Sequence, residues 1–153
     1  MAGRQQVQAV LEQVGMAERV RTLEQSARTA VEAAAALGCE VGAIGSSLVF
    51  LAEDEPVLVL TSGAHRVDVD LLAEHLGGRP VRMAKPDRVR EVTGFAIGGV
   101  APVGLSTALA VLVDEDLAQY PQVWVAAGDP HSVFWTTYDE LLALTGGRSV
   151  RVA

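Results

Sequence analysis

Residues 94–104 place four glycines and a proline between two apolar segments of the chain. Glycine adopts positive φ angles and lets other groups approach the backbone closely, so such a stretch interrupts regular structure. Two interpretations follow from composition. The stretch is either a tight turn between two buried strands or a loop that presents bare backbone N–H groups to a ligand.

The segment from Gly94 to Val113 carries no charged side chain, and about 20 such residues are long enough to cross a bilayer as a helix. Gly98, Gly99 and Pro102 give its centre a poor helix propensity. The aliphatic run 109–113 is more typical of a buried strand. We therefore expect strand, loop and strand here, and no membrane association.

Composition is that of a compact protein, with half of the 153 residues hydrophobic and one fifth charged. This length suits one domain, and we expect residues 1–153 to form it. Cys39 is the single cysteine, so no internal disulfide can form. No basic region followed by an apolar core marks the N-terminus, and we expect a cytoplasmic protein.

The net charge of −7 opposes a broad surface for nucleic-acid phosphates, so we expect no DNA partner and only local contact with RNA. One basic cluster stands out. It is either a solvated helix face or a local RNA contact, and it comprises Arg79, Arg82, Lys85, Arg88 and Arg90.

Hydrophobic periodicity predicts a mixture of helices and strands without strict alternation. The predicted helices cover 5–14, 31–37 after a Thr29–Glu32 capping box, 68–76, 86–92 with Asp87 as its candidate cap, and 138–144 after Thr137. The predicted strands cover 44–51, 57–61, 80–83, 107–113, 123–127, 132–136 and 148–152, with a short extended piece at 19–23. These elements predict an α+β fold with a mixed, largely antiparallel sheet and short helices packed against it.

No strong metal or cofactor motif is present, and we expect neither group. His65, His75 and His131 lie far apart in the sequence, without metal-ligand spacing. The glycine stretch lacks the Gly-Lys-Ser/Thr ending of a P-loop and the dinucleotide fingerprint. Ser46 and Ser47 begin a predicted strand without a nucleophile elbow, and His131 follows a strand end, so each is either an ordinary polar residue or part of a site.

The order of several motifs resembles the YbaK/ProX family, which comprises free-standing relatives of the editing domain of bacterial prolyl-tRNA synthetase. The segments that carry the resemblance are 29–34, 44–50, Pro86, 93–95, 98–104 and 127–128. The resemblance implies the family's fold and hydrolysis of the ester of a mischarged tRNA that carries a small amino acid such as Ala, Cys or Ser. It further implies the 3′ end of aminoacyl-tRNA as partner, with a synthetase as a further candidate.

The family's glycine–proline motif falls on Gly98 and Pro102. In relatives, backbone groups of this loop help to hold the terminal adenosine and the ester, and the resemblance implies the same role here. From the resemblance we assign candidate catalytic roles to Ser46, Gly98 and Gly99. The candidate substrate-binding residues are Ser47, Thr61, Pro102, Gly128, Asp129 and His131. Ser46 stands where the family usually carries a lysine, and a hydroxyl cannot replace that charge. This substitution leaves three alternatives: altered substrate choice, a different catalytic arrangement, or a deacylase-like pocket that only binds.

Three functions remain open at this point. In related enzymes the ribose hydroxyl of the tRNA and a bound water perform the chemistry, so positioning alone can account for much of the rate. The alternative is a non-catalytic module that binds an aminoacyl-adenosine, a nucleotide or an amino acid. The third is a hydrolase that uses Ser46 with His131, which requires the two side chains within hydrogen-bond reach.

Overall fold

The computed structural model describes residues 3–27 and 29–153. Its α-helices are α1 (Gly3–Val14), α2 (Ala30–Leu37), α3 (Val69–His75), α4 (Pro86–Thr93) and α5 (Tyr138–Thr145). Its strands are β1 (Val20–Thr22), β2 (Ile44–Ala52), β3 (Glu55–Ser62), β4 (Val81–Met83), β5 (Ala110–Asp114), β6 (Val123–Ala126), β7 (Ser132–Thr136) and β8 (Arg148–Val150). Short 3₁₀ helices cover Ala17–Arg19, Val41–Ala43 and Glu115–Gln119.

The strands form one sheet in the order β1-β7-β6-β2-β3-β5-β8, and β4 pairs with β2 beside that path. The β1–β7, β2–β3, β2–β4 and β6–β7 pairs are antiparallel. The β2–β6, β3–β5 and β5–β8 pairs are parallel. The predicted α+β class with a mixed sheet is confirmed.

Helices cover both faces of the central hairpin β2–β3. Val49 and Leu51 of β2 pack on one face with residues of α1, α4 and α5. Phe50 and Ala52 pack on the other face with Leu72 of α3. Burial on both faces explains why these strands read as nearly continuous apolar runs rather than as alternating patterns.

Local capping signals set most helix starts. The predicted Thr29–Glu32 capping box is present, and the Thr29 hydroxyl accepts from the Glu32 N–H at 3.2 Å. The prediction of Asp87 as the cap of α4 was wrong, because the N-cap is Lys85 and Asp87 lies in the first turn. Pro86 supplies the φ angle of a first helical residue and holds the residue before it extended.

The uncharged segment 94–113 is a long loop followed by β5. The prediction of a strand before the loop was wrong. Helix α4 extends to Thr93, and Gly94 ends this helix with a φ of 82°. β5 begins at Ala110 rather than at residue 107. Within the part of the chain that the structure describes, no helix has the length and apolar character to span a membrane.

Candidate functional site

A cleft of about 290 Å³ opens at the edge of β2 that faces away from β3. β6 pairs with β2 only at Ile44 and Gly45, and β4 pairs only at residues 50–52. Residues 46–49 therefore have no strand partner on this edge within ranges 3–27 and 29–153. The cleft occupies the gap, and four consecutive residues of β2, from Ser46 to Val49, line it.

The gap exposes backbone groups of β2. Ala52 and Glu55 flank the two-residue hairpin turn, so even-numbered residues of β2 bond to β3 and odd-numbered residues point to the other edge. In agreement, the Val49 carbonyl accepts from the Ala84 N–H at 3.0 Å. The Ser47 N–H and carbonyl thus point into the gap, where the described residues offer them no strand.

Side chains from both faces of the sheet reach the cleft because neighbouring residues of a strand alternate. Ser47 shares the face of Val49, on which the glycine loop packs. Ser46 shares the face of Ile44, on which α2 and Trp124 pack. Small apolar side chains make up much of the remaining wall: Ala27, Ala30, Ala33, Ala84 and Ala126.

The Ser47 hydroxyl oxygen is buried and finds no hydrogen-bond partner among the described residues. Buried hydroxyls are nearly always paired, so an unpaired one that borders a cleft indicates a group that forms its hydrogen bond with a ligand or water.

The Cys39 thiol lies outside the cleft lining. Burial raises the pKa of Cys39, which leaves it a poor nucleophile.

The glycine loop contributes a tight turn to the cleft wall. The Gly99 N–H donates to the Ala96 carbonyl at 3.0 Å, and Gly98 stands third in this turn with a φ of 91°. A turn with positive φ at that position requires glycine. Gly98 and Ile97 line the cleft, and the Gly98 N–H has no acceptor among residues 3–27 and 29–153.

Gly99 has a packing role in this structure. A Cβ at Gly99 would lie 2.7 Å from the Asp129 Cα, so only glycine lets the loop approach the turn after β6 this closely. Because the Gly99 N–H already donates within its own turn, Gly98 is the glycine of this pair whose amide remains free.

Asp129 is the only charged side chain that lines the cleft within the described residues. One carboxylate oxygen, Oδ1, accepts from the His131 N–H at 2.8 Å, and Oδ2 accepts from the Ser132 hydroxyl at 3.1 Å. These two donors fix the orientation of the carboxylate. The cleft therefore combines apolar walls, neutral donors and one acidic group.

The other predicted substrate-binding residues lie outside the cleft lining. Thr61 is 4% exposed, with its hydroxyl 3.5 Å from Asp114 Oδ2. Pro102 is buried within the loop, and a Cβ at Gly128 would lie 2.5 Å from the Gly3 carbonyl oxygen. His131 is exposed, and no hydrogen bond joins its ring to Ser46 in the part described, so the structure does not bring a serine–histidine pair together.

Sequence reasoning missed several lining residues, including Met83, Ile97, Trp124 and Ser132. Met83 and Ile97 are 57% and 52% exposed, which makes the cleft rim apolar. Neither Met83 nor Ile97 belongs to a sequence motif that would indicate a site. Only their exposure, which the sequence does not report, sets them apart.

One side-chain cluster has the composition of a metal site. The ligand atoms of His65, Asp114 and Asp116 lie within 4.8 Å of one another. His65 Nδ1 lies 2.8 Å from Asp114 Oδ2, and Nε2 lies 2.9 Å from Asp116 Oδ2. Both ring nitrogens thus face carboxylates, and the cluster connects the segment after β3 to the end of β5. None of the three residues lines the cleft.

Most of the predicted basic cluster is paired with acidic side chains. Arg79 lies 3.0 Å from Glu55, Arg82 lies 3.4 Å from Asp54, and Arg88 lies 2.8 Å from Glu91. Lys85 and Arg90 have no carboxylate within salt-bridge distance among the described residues. The cluster is therefore closer to a solvated, internally paired surface than to a basic patch.

Comparison with known proteins identifies relatives along most of the chain. Residues 24–144 match the family model described as an aminoacyl-tRNA editing domain. The uncharacterized protein YwhH of Bacillus subtilis is 33% identical over 123 residues, which cover 80% of this chain and 78% of YwhH. A proline–tRNA ligase of Ligilactobacillus salivarius is 37% identical over 65% of this chain, which spans only 17% of that enzyme.

Two further relatives carry functional names. EbsC of Enterococcus faecalis, named as a candidate Cys-tRNA(Pro)/Cys-tRNA(Cys) deacylase, is 27% identical over 81% of this chain and 76% of its own length. A crystal structure of a candidate trans-editing enzyme for prolyl-tRNA synthetase superposes with a TM-score of 0.90 at 48% identity. The match covers 99% of this chain and 97% of that one.

Proposed function

The chain belongs to the aminoacyl-tRNA editing domain family, and we propose that it is a trans-acting deacylase that hydrolyses the ester of a mischarged tRNA. The proposed substrates carry a small amino acid such as alanine, cysteine or serine. The observation that carries the proposal is the cleft at the unpaired edge of β2, which the turn at Gly98 borders. The functional names of EbsC and of the trans-editing structural neighbour support it.

The proposed chemistry is direct hydrolysis. Water adds to the ester carbonyl carbon and forms a tetrahedral oxyanion. Collapse of this intermediate breaks the bond to the ribose oxygen, which takes up a proton as the amino acid leaves. The groups suited to hold the oxyanion are neutral donors, namely the free Gly98 N–H and the Ser47 hydroxyl.

Ser46 takes the position at which the family usually carries a lysine, and the described cleft has no cationic lining residue. Orientation of the ester is therefore assigned to hydrogen bonds rather than to an ammonium group. Ser46 reaches the cleft from the α2 face and Ser47 from the loop face, so the two hydroxyls can contact opposite sides of one substrate.

Asp129 is suited to bind the protonated α-amino group of the amino acid. Its carboxylate is held by the His131 N–H and the Ser132 hydroxyl, and the other described residues that line the cleft are uncharged. A charge-assisted hydrogen bond of this type is stronger than a neutral one. Substrates with an acylated amino group should therefore be poor.

The direct test is hydrolysis of a panel of tRNAs charged with different amino acids, including a correctly charged prolyl-tRNA. We expect turnover of at least one small amino acid, with losses for Ser47→Ala, Gly98→Ala and Asp129→Asn. Arg148→Gln, on β8 at the far edge of the sheet, is the matched control and should retain activity. No deacylation of any member of the panel at micromolar protein would refute the proposal.

A non-catalytic binding module is the second candidate, and the absence of a cation from the described cleft favours it. Such a module would keep the Asp129 contact and bind an aminoacyl-adenosine without turnover. Binding of a non-hydrolysable aminoacyl-adenosine analogue, combined with no hydrolysis of the panel, would identify this function.

A further inference from the structure

Arg21 of the edge strand β1 lies beside the cleft on its α2 face. Arg21 pairs with Val133 of β7, and Val133 pairs with Ala126 of β6. Both Val133 and Ala126 line the cleft. The Arg21 guanidinium carbon also lies 5.9 Å from the ring centre of Trp124, a third lining residue. The pairing with Val133 and the contact with the Trp124 ring thus place this cation beside residues that line the cleft.

Arg19 provides an internal comparison for the charge of Arg21. Its guanidinium carbon stacks 3.9 Å over Trp135, and its nitrogen Nη1 lies 2.6 Å from Glu140. A carboxylate therefore neutralises the Arg19 cation. Arg21 is exposed and, within ranges 3–27 and 29–153, has neither a salt bridge nor a side-chain hydrogen bond. Its charge and donors remain available to a partner.

The chemistry of this corner suits a phosphodiester. The chain as a whole is acidic, with a net charge of −7, so binding of a polyanion requires a local cation. A guanidinium offers a planar fork of donors that matches a phosphate, and an aromatic ring beneath it limits its motion. Indole surfaces also stack on nucleobases and riboses.

We propose that Arg21 binds the phosphate that precedes the terminal nucleoside of the RNA, and that Trp124 holds this guanidinium beside the cleft. The inference rests on the proposed function, because it takes an RNA 3′ end as the occupant of the cleft. It adds a determinant of RNA recognition outside the groups assigned to the ester. The contact distinguishes a nucleic-acid substrate from a small ester.

The experiment compares mischarged tRNA with 3′-O-aminoacyl-adenosine, which has no phosphate. We expect Arg21→Gln to raise the KM for tRNA about tenfold relative to the KM for the aminoacyl-adenosine. The dependence of log KM on log salt concentration for tRNA should fall by about one unit, as for the loss of one phosphate contact. Arg151→Gln is the matched control, since it removes the same charge beyond β8 at the opposite edge of the sheet.

A binding measurement separates this inference from the proposed activity. Fluorescence anisotropy with a 5′-labelled, single-stranded RNA tetranucleotide that ends in adenosine needs no hydrolysis. Arg21-dependent binding without turnover would sustain the contact while the deacylase proposal fails. Equal affinity of the wild type, Arg21→Gln and Arg151→Gln for this RNA, or an unchanged ratio of the two KM values, would overturn the contact.

Discussion

The Ser47 hydroxyl is buried beside the cleft, and the described residues leave it without a partner. An unpaired buried hydroxyl costs about 1–3 kcal/mol, so the folded state alone gives no reason for a serine at this position. Contact with a ligand does give one. Folding and function therefore make opposite demands on the same side chain.

Replacement of Ser47 by alanine should separate these demands. We expect the free energy of unfolding to stay unchanged or to rise by about 1 kcal/mol, while kcat/KM for deacylation falls. Ser62→Ala is the matched control, because the buried Ser62 hydroxyl donates to the Gly42 carbonyl at 2.7 Å, and its loss should destabilise the fold by about 1 kcal/mol. Urea denaturation gives the free energy of unfolding of both variants. An equal loss of stability in Ser47→Ala and Ser62→Ala would mean that Ser47 has a structural role.

Gly98 combines a backbone requirement with a place at the cleft. Gly98→Ala puts a Cβ on a residue with a φ of 91°, which costs about 1–3 kcal/mol. Alanine keeps the backbone N–H, but relief of this strain would move that N–H, so kcat/KM should fall about 100-fold if the Gly98 N–H holds the oxyanion. Gly146→Ala is the control for strain alone, since Gly146 has a φ of 63° and no atom near its Cβ position. Comparable losses of activity in Gly98→Ala and Gly146→Ala would mean that the loss comes from destabilised folding rather than from the oxyanion contact.

At the scale of elements, the 3₁₀ helix Ala17–Arg19 is tied to α5 through Arg19 and Glu140. Glu140 is also the third residue of α5 and completes the capping box of Thr137. The hydrogen bond from Arg19 is the largest of the effects that lower the pKa of Glu140 below its ordinary value of 4.5. One carboxylate therefore joins a local helix cap to a contact between distant parts of the chain.

This lowered pKa predicts a pH-dependent contribution to stability. Because the folded pKa lies below the unfolded one, the stabilisation is complete above pH 4.5 and is lost as the pH falls through the folded value. Arg19→Met should reduce the free energy of unfolding by about 1 kcal/mol at pH 7, and the difference should shrink in acid. Arg88→Met removes an exposed pair with Glu91 and should change little at either pH. Urea denaturation at pH 7 and pH 3 tests this, and a pH-independent effect of Arg19→Met would contradict it.

At the scale of the whole molecule, the site depends on where several strands end. β2 spans nine residues, but β6 and β4 cover only its two ends on one edge. The glycine loop and α2 then cover the gap from opposite faces of the sheet. A ligand in this gap contacts distant segments at once and should stabilise the entire fold.

Thermal denaturation measures this coupling. A non-hydrolysable aminoacyl-adenosine analogue at about 100 times its Kd should stabilise the protein by about 2.7 kcal/mol, which corresponds to a rise in Tm of about 5–10 °C. The N-acetylated analogue should produce a smaller shift because it lacks the charge that Asp129 is proposed to bind. Asp129→Asn should reduce the shift for the free amine and leave that for the acetylated analogue almost unchanged. Equal shifts for both analogues with the wild type would exclude this role of Asp129.

Much of the architecture was predictable because its signals are local. The Thr29 and Thr137 capping boxes, the hairpin turn after Ala52 and the glycine stops of the helices act within a few residues of sequence. The family resemblance also predicted the fold, which the superposition on the candidate trans-editing enzyme with a TM-score of 0.90 confirms. Asp87 was misplaced because its neighbour Pro86 determined where α4 begins.

The roles of individual site residues were less predictable. Gly98 and Gly99 look alike in the sequence, but only the packing of Gly99 against Asp129 shows that one is a spacer and the other borders the cleft. Arg21 and Arg19 likewise look equivalent in the sequence. The structure distinguishes them, because Glu140 pairs with Arg19, whereas Arg21 has no acidic partner among the described residues.

Hydrophobic periodicity, capping residues and glycine positions were sufficient for the elements and the fold class, because these preferences act over a few neighbouring residues. The open edge of β2, the unpaired Ser47 hydroxyl and the cation beside Trp124 depend on contacts between segments far apart in the chain. Such contacts form only when the strands pair and their ends are placed, so the three-dimensional packing alone created the cleft.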